Sequence, residues 1–245
     1  MVESRTEDEQ PGEGGARRVL VLGANGPTGR RVVQLALDRG LAVEALTRHP
    51  EAFPIRHERL HVTAGDATDP AVLDGAVAPC DAVVSVIGSA YTRHRVRVYS
   101  ASAALAVAAM HRHGLRRLLV VTSAEVAPES ARNGRLVNDR LLVPLLRRVV
   151  GRTVYDDMER MEGVVTATGL DWTIVRPPGL SDEAGVGYEA AETHVDGSFC
   201  TRDDLAAFLL DELDSDRFLR RVAAVASPGV RVSGLQMLRR EVLKR

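Results

Sequence analysis

The apolar residues of this chain fall into short continuous runs that alternate with longer stretches of helical spacing. Arg18–Leu22 (RVLVL), Val43–Thr47, Leu60–Ala64, Ala82–Ile87 (AVVSVI) and Leu118–Thr122 (LLVVT) each predict a buried strand. Between them the spacing predicts helices over Thr28–Arg39, Pro70–Ala78 and an Ala-rich Val96–Arg112. The second half is less regular. It predicts helices over Leu136–Val149 and Tyr155–Thr168, a strand at Trp172–Val175 and then a loop-rich stretch. A helix opening at Arg202–Asp204, a strand at Arg221–Ala226 and a closing amphipathic helix complete the reading.

Strands separated by helices at this spacing require right-handed crossovers, hence a parallel sheet covered on both faces. Such strands read as unbroken apolar runs, as these do. The expected fold class is α/β, a Rossmann-type doubly wound parallel sheet in a single domain over residues 17–245. Residues 1–16, which are polar and end in PGEGGA, are expected to form a disordered tail.

The turn between the first strand and first helix carries the chemistry. It reads V-L-G-A-N-G-P-T-G-R-R, from Gly23 through Asn25, Gly26, Pro27 and Thr28 to Gly29. Gly23 permits a tight exit from the strand, Gly26 a close approach of backbone to phosphate, and Gly29 tight helix-to-strand packing. Backbone N–H groups and the positive helix end then suit a pyrophosphate. Glycines at turns are common, but their place between strand and helix in the first βαβ unit is the context that gives the pattern meaning.

The end of the second strand reads A-L-T-R and places Arg48 where NAD-preferring sites hold an acid for the ribose hydroxyls. An arginine fork suits the 2′-phosphate of NADP(H), although a solvated surface arginine is the alternative. Asp66, followed by Ala67, ends the third strand and can bond the adenine amine, cap a turn, or do both. Ile87, Gly88 and Ser89 end the fourth strand, at the carboxyl edge where such sheets bind ligands.

Composition narrows the function classes. A formal net charge of -1 argues against nucleic-acid binding through bulk electrostatics. No apolar run reaches the length of a membrane span and the N-terminus lacks a signal-peptide core, so cytoplasmic residence and no membrane partner are expected. Cys80 and Cys200 have no metal-ligand spacing and read as core thiols. His94, His111 and His113 stand apart from ligand partners, and no metal is expected. A small-molecule substrate and a monomer or weak homodimer complete these expectations.

GANGPTG, Arg48, G-D-A at Gly65, V-I-G-S, V-V-T-S-A at Val120 and T-I-V-R-P-P-G at Thr173 together resemble the atypical short-chain dehydrogenase/reductases of the NAD(P)H-binding, NmrA-like group. The likeness covers nearly the whole chain after the tail. D-D-M-E-R-M at Asp156, R-P-P-G at Arg176 and C-T-R-D-D-L-A-A-F at Cys200 bring it nearest to the flavin reductase (biliverdin reductase B) branch. The resemblance implies that Thr122, Ser123, Pro177 and Pro178 border the nicotinamide end of the site.

Departures from that pattern bear on the chemistry. The wider superfamily uses a Tyr-x-x-x-Lys pair, and the only lysine here is Lys244. Where related members carry lysine on the late helix, this chain has Met158; the histidine after the double proline is replaced by Gly179. A second cofactor arginine expected shortly after Arg48 is also missing. Ser123 remains as a donor to a developing oxyanion or flavin heteroatom, or as a cap for the following segment. Tyr155 is a proton donor without a cationic neighbour, or a packing residue. Asp156 and Asp157 are pocket residues or helix-terminal acids. His194, Tyr91 and Tyr188 are candidates for substrate contact.

Three functions fit. One is an NADPH-dependent oxidoreductase passing hydride to a flavin, quinone or similar conjugated acceptor, in secondary metabolism for instance. The others are a non-catalytic NADP-sensing regulator and a natural-product tailoring isomerase or reductase.

Overall fold

The computed structural model describes residues 17–90, 92, 94–126 and 152–230. The expected tail over residues 1–16, the helix over Leu136–Val149, the closing helix and Tyr91 lie outside the described residues.

The first βαβ unit comprises β1 (Arg18–Leu22), α1 (Pro27–Asp38) and β2 (Ala42–Thr47). The chain continues through β3 (Leu60–Ala64), α2 (Pro70–Val77), β4 (Ala82–Ser85), α3 (Val98–His113) and β5 (Arg117–Val121). After α4 (Arg152–Thr166) come β6 (Asp171–Arg176), β7 (Gly179–Ser181), β8 (Glu189–Ala191) and β9 (Phe199–Thr201). Finally α5 (Arg202–Asp211) leads into β10 (Arg221–Ala226).

Eight strands form one sheet in the order β3-β2-β1-β4-β5-β6-β10-β8, parallel except for the antiparallel edge strand β8. The order reverses between β1 and β4, so the doubly wound Rossmann arrangement expected from the pattern is present. Alternation within each strand divides the core into two layers. Val19 and Val21 of β1 pack with Val33 and Leu37 of α1 and Leu205, Phe208 and Leu209 of α5. Leu20 and Leu22 face the other way, toward Leu73 of α2, Met110 of α3 and Met161 of α4. On the first face α1 and α5 run side by side, joined by Arg31–Asp203 (2.6 Å) and Arg39–Asp211 (2.7 Å).

Besides shifts of one or two residues at element ends, three departures from the pattern bear on the site. β4 ends at Ser85 rather than Ile87, with Val86 and Ile87 passing against the backbone of Gly23. α4 opens at Arg152, three residues before the expected start at Tyr155. The stretch read as loop contains β7, β8 and β9. Each has three residues, too few for a period-two pattern to emerge.

Candidate cofactor site at the carboxyl edge of the sheet

Gly23 takes φ +80°, and a Cβ there would lie 2.8 Å from Val86 O and 2.9 Å from Ile87 N. The exit of β1 is thus pressed against the chain leaving β4, at the point where the strand order reverses. Gly29 is equally constrained, since its Cβ would stand 2.7 Å from Ala24 Cα. Between them Gly26 donates its N–H to Gly23 O at 3.0 Å and caps α1 with no side-chain acceptor. Pro27 stands at the first helical position, where its missing N–H is harmless. The first turn of α1 also holds no acidic residue. A cradle that side chains would fill, opening on a helix N-terminus without an anion of its own, fits a pyrophosphate.

Asn25 ties this turn to its surroundings. Its Oδ1 accepts from Arg30 Nε (3.0 Å) and Nη2 (2.7 Å), and its Nδ2 reaches His49 O at 3.5 Å. Arg30, in the first turn of α1, is therefore linked through Asn25 to the segment that carries Arg48. Arg48 is exposed and makes no hydrogen bond or ion pair among the described residues. Sequence reasoning missed Arg30, although it directly follows the third glycine and supplies a second cation.

Asp66 caps a turn, one of the two compatible readings of its position. Its Oδ1 accepts from Thr68 N (2.8 Å) and Thr68 Oγ1 (2.7 Å). Those bonds hold the carboxyl below its ordinary range, with a smaller contribution from the charge of Arg48. Ala67 and Ile87 pack against the second core layer. Gly88 is exposed, and Ser89 donates its N–H to Tyr99 Oη at 2.9 Å.

The ends of β5 and β6 meet in a polar cluster. Thr122 N donates to Val175 O (2.8 Å), and Thr122 Oγ1 to Glu162 Oε1 (2.8 Å). Glu162 on α4 also accepts from Arg176 Nε at 2.9 Å and pairs through its second oxygen with Arg176 Nη2. Ser123 Oγ accepts from Glu125 N at 3.2 Å, so the hydroxyl oxygen caps the turn that follows. Ala124 N donates to Pro177 O at 2.9 Å and holds Pro177 and Pro178 beside Ser123. Sequence reasoning missed Glu162, whose charge gains its partner only where α4 meets Arg176.

Other candidates lie elsewhere. Asp157 is fully buried and accepts from Tyr99 N (2.9 Å), Ser100 N (3.4 Å) and Ser100 Oγ (2.5 Å). It therefore caps α3 from a neighbouring helix, which satisfies N–H groups that Arg97 at the N-cap leaves without a side-chain bond. Asp156 is exposed and stands 3.8 Å from Arg152, while Tyr155 is half-buried in the first turn of α4. Tyr188 is not an aromatic wall for the site. Its hydroxyl donates to Asp211 at the far end of α5 (2.6 Å), its ring packs edge-on against Phe208, and burial with that bond raises the phenol to about 12. His194 is exposed and 3.3 Å from Asp196, and His113 pairs with Asp74. Cys80 and Cys200 are free, buried thiols pushed up to about 12 by burial, too high for a thiolate at neutral pH. No helix among the described residues is long and apolar enough to cross a membrane.

Comparison with known proteins agrees with this geometry. A curated relative, the uncharacterized sugar epimerase YhfK of Bacillus subtilis, is 27% identical over 80% of this chain and 88% of its own length. A short-chain dehydrogenase/reductase from Veillonella parvula, solved in complex with NADP, superposes with a TM-score of 0.71 at 20% identity, covering 87% of this chain and 95% of that one. ChuY, an anaerobillin reductase from Escherichia coli O157:H7, superposes with a TM-score of 0.68 at 21% identity, covering 88% and 100%. The model of the NAD(P)H-binding family matches residues 23–216, from the first glycine of the cradle to beyond α5, and the chain belongs to that family.

Proposed function

We propose that this protein is an NADPH-dependent reductase acting on a flavin, quinone or similar small conjugated acceptor. The observation that carries the cofactor half is Arg48, an exposed cation at the end of β2 with no acid next to it in the sequence and linked through His49, Asn25 and Arg30 to the phosphate cradle. Gly23, Gly26 and Pro27 would shape the turn, and Asn25, Thr28 and Gly29 would offer backbone N–H groups to the pyrophosphate. Arg48 and Arg30 would bracket the 2′-phosphate with planar donor forks. Asp66, Ala67 and the Ile87–Ser89 segment would border the adenosine half, and Thr122, Ser123, Pro177 and Pro178 the nicotinamide half.

NADPH supplies a hydride when bound. This chain's part is to hold an acceptor against it, which is the main requirement for conjugated acceptors. Glu162 and Arg176 fix the ends of β5 and β6, and so the position of Ser123, whose O–H can donate to an acceptor heteroatom while its oxygen caps Glu125. Tyr155 is the other candidate proton donor, without a lysine in the superfamily's place.

The test is oxidation of NADPH followed at 340 nm with a panel of flavins and quinones. Turnover with at least one acceptor, reduced in Ser123→Ala, is expected. Tight NADPH binding with no turnover on any acceptor would overturn the reductase reading. It would favour a non-catalytic NADP sensor, a reading that the absence of a superfamily Tyr-Lys pair also supports.

A further inference from the structure

Most aromatic rings in the described residues are spent on the core. Phe53, Phe208, Phe218, Tyr99 and Trp172 belong to its two layers, and Tyr188 packs against one of them. Phe199 is different: it is only half-buried and belongs to neither layer. It lies in β9, in register with Gly179 of β7. A Cβ on Gly179 would stand 2.8 Å from Phe199 Cε1 and 3.0 Å from Cδ1, so the ring rests directly on the glycine backbone. Any side chain at position 179 would displace it.

That ring lies against the segment that follows the double proline. Gly179 follows the double proline, and Pro177 O is bonded to Ala124 N next to Ser123. The loop after β7 is pinned by the buried carboxylate of Asp204, which accepts from Val186 N (3.2 Å) and Gly187 N (2.9 Å). The same carboxylate is bonded by Ser227 Oγ, just beyond β10. Gly197, two residues before Phe199, is packed against Ala226, where a Cβ would lie 2.7 Å from the alanine methyl. Both approaches to the ring are therefore fixed by contacts with β10 and α5.

We propose that Phe199, seated on Gly179, is the stacking platform for the acceptor, and that it selects a planar conjugated heteroaromatic ring of the isoalloxazine type. The inference rests on the reductase reading and names its substrate class. The platform is an aromatic face on bare backbone. It offers area and a π surface in place of directional donors, so it discriminates by flatness more than by hydrogen-bonding pattern.

The experiment separates binding from turnover. FMN is titrated with protein saturated with NADP+, which cannot reduce it, and quenching of flavin fluorescence is followed. The wild type and Phe199→Tyr are expected to quench. Phe199→Ala and Gly179→Ala are expected to bind FMN about tenfold more weakly, a change of about 1.4 kcal/mol, with NADP+ affinity unchanged. The proposal is overturned if the wild type does not quench, or if Phe199→Ala binds FMN like the wild type. A parallel loss of NADP+ affinity in Phe199→Ala would also overturn it, by assigning the ring to the cofactor. Quenching without oxidation of NADPH would sink the reductase reading and leave the platform standing.

Discussion

The strand pair β5–β6 is clamped at both ends by an arginine and a glutamate, and the two clamps differ in what surrounds them. At the amino ends Arg117 donates to Asp171 O (3.0 Å), Thr173 Oγ1 (2.9 Å) and the Glu212 carboxylate (3.2 Å). Glu212 also accepts from Phe218 N at 3.0 Å. At the carboxyl ends Arg176 grips Glu162, which shares an oxygen with Thr122 beside the cofactor cleft. The amino-end pair is sealed, with side chains only 10% and 3% exposed, against 21% and 10% for the other. Burial lowers the pKa of Arg117 and raises that of Glu212, so for both groups desolvation outweighs pairing. Among the described residues Arg117 Nε is even left without a hydrogen-bond partner. The comparison teaches that similar residue pairs differ with their surroundings: one closes the fold, the other ties together strand ends at the edge where we propose that a ligand binds.

The largest effect is expected from breaking the sealed clamp. Arg117→Leu strands Glu212 as a buried charge and should cost about 3–5 kcal/mol of unfolding free energy at neutral pH. A carboxyl whose folded-state pKa is raised contributes stability at low pH and loses it as pH rises through that value. The loss in Arg117→Leu should therefore be smallest on the acid side of the carboxylate range and grow above it. Adding Glu212→Leu should restore most of the stability in denaturant titrations. If the single variant is as stable as the wild type at neutral pH, the clamp is not a closure of the fold.

At the cleft, Gly29→Ala drives a methyl into the backbone of Gly23 and Ala24. It should lower stability by about 1–3 kcal/mol and weaken NADPH binding in the protein that folds. Full retention of both would show that the cradle is looser than its geometry. Adjacent acids provide a smaller contrast. Asp157→Ala removes the remote cap of α3 and should cost about 1–2 kcal/mol, whereas Asp156→Ala should stay within about 0.5 kcal/mol. Equal melting temperatures would contradict the assignment of Asp157. Glu162→Gln keeps the side chain's size and one acceptor oxygen but loses the charge and the second acceptor for Arg176. It should lower the melting temperature less than Arg117→Leu does, and should also change acceptor KM or kcat.

What the sequence made legible was local. The apolar runs located β1 through β6 and β10, and the glycine spacing located the cradle, because both follow from periodicity and from backbone rules acting over a few residues. Glu162 and Asp157 were not legible as clamp and cap. Their partners are Arg176, Thr122, Tyr99 and Ser100, brought close only when α4 packs across the sheet. Tyr188 was misread for the same reason, since Asp211 reaches it from the end of another helix. Arg30 lay in view beside Gly29, yet its link to the Arg48 segment depends on Asn25 bridging two loops. Phe199 acquires meaning only through its register with Gly179.

The central claim is that the carboxyl edge is a dinucleotide cleft whose arginines choose the phosphorylated cofactor. Calorimetric titration of the wild type and Arg48→Glu with NADPH and NADH tests it most directly. The account predicts one site, tighter for NADPH in the wild type by about tenfold or more, a gap of about 1.4 kcal/mol that Arg48→Glu abolishes. Equal affinities in the wild type, or an unchanged preference in Arg48→Glu, would contradict it.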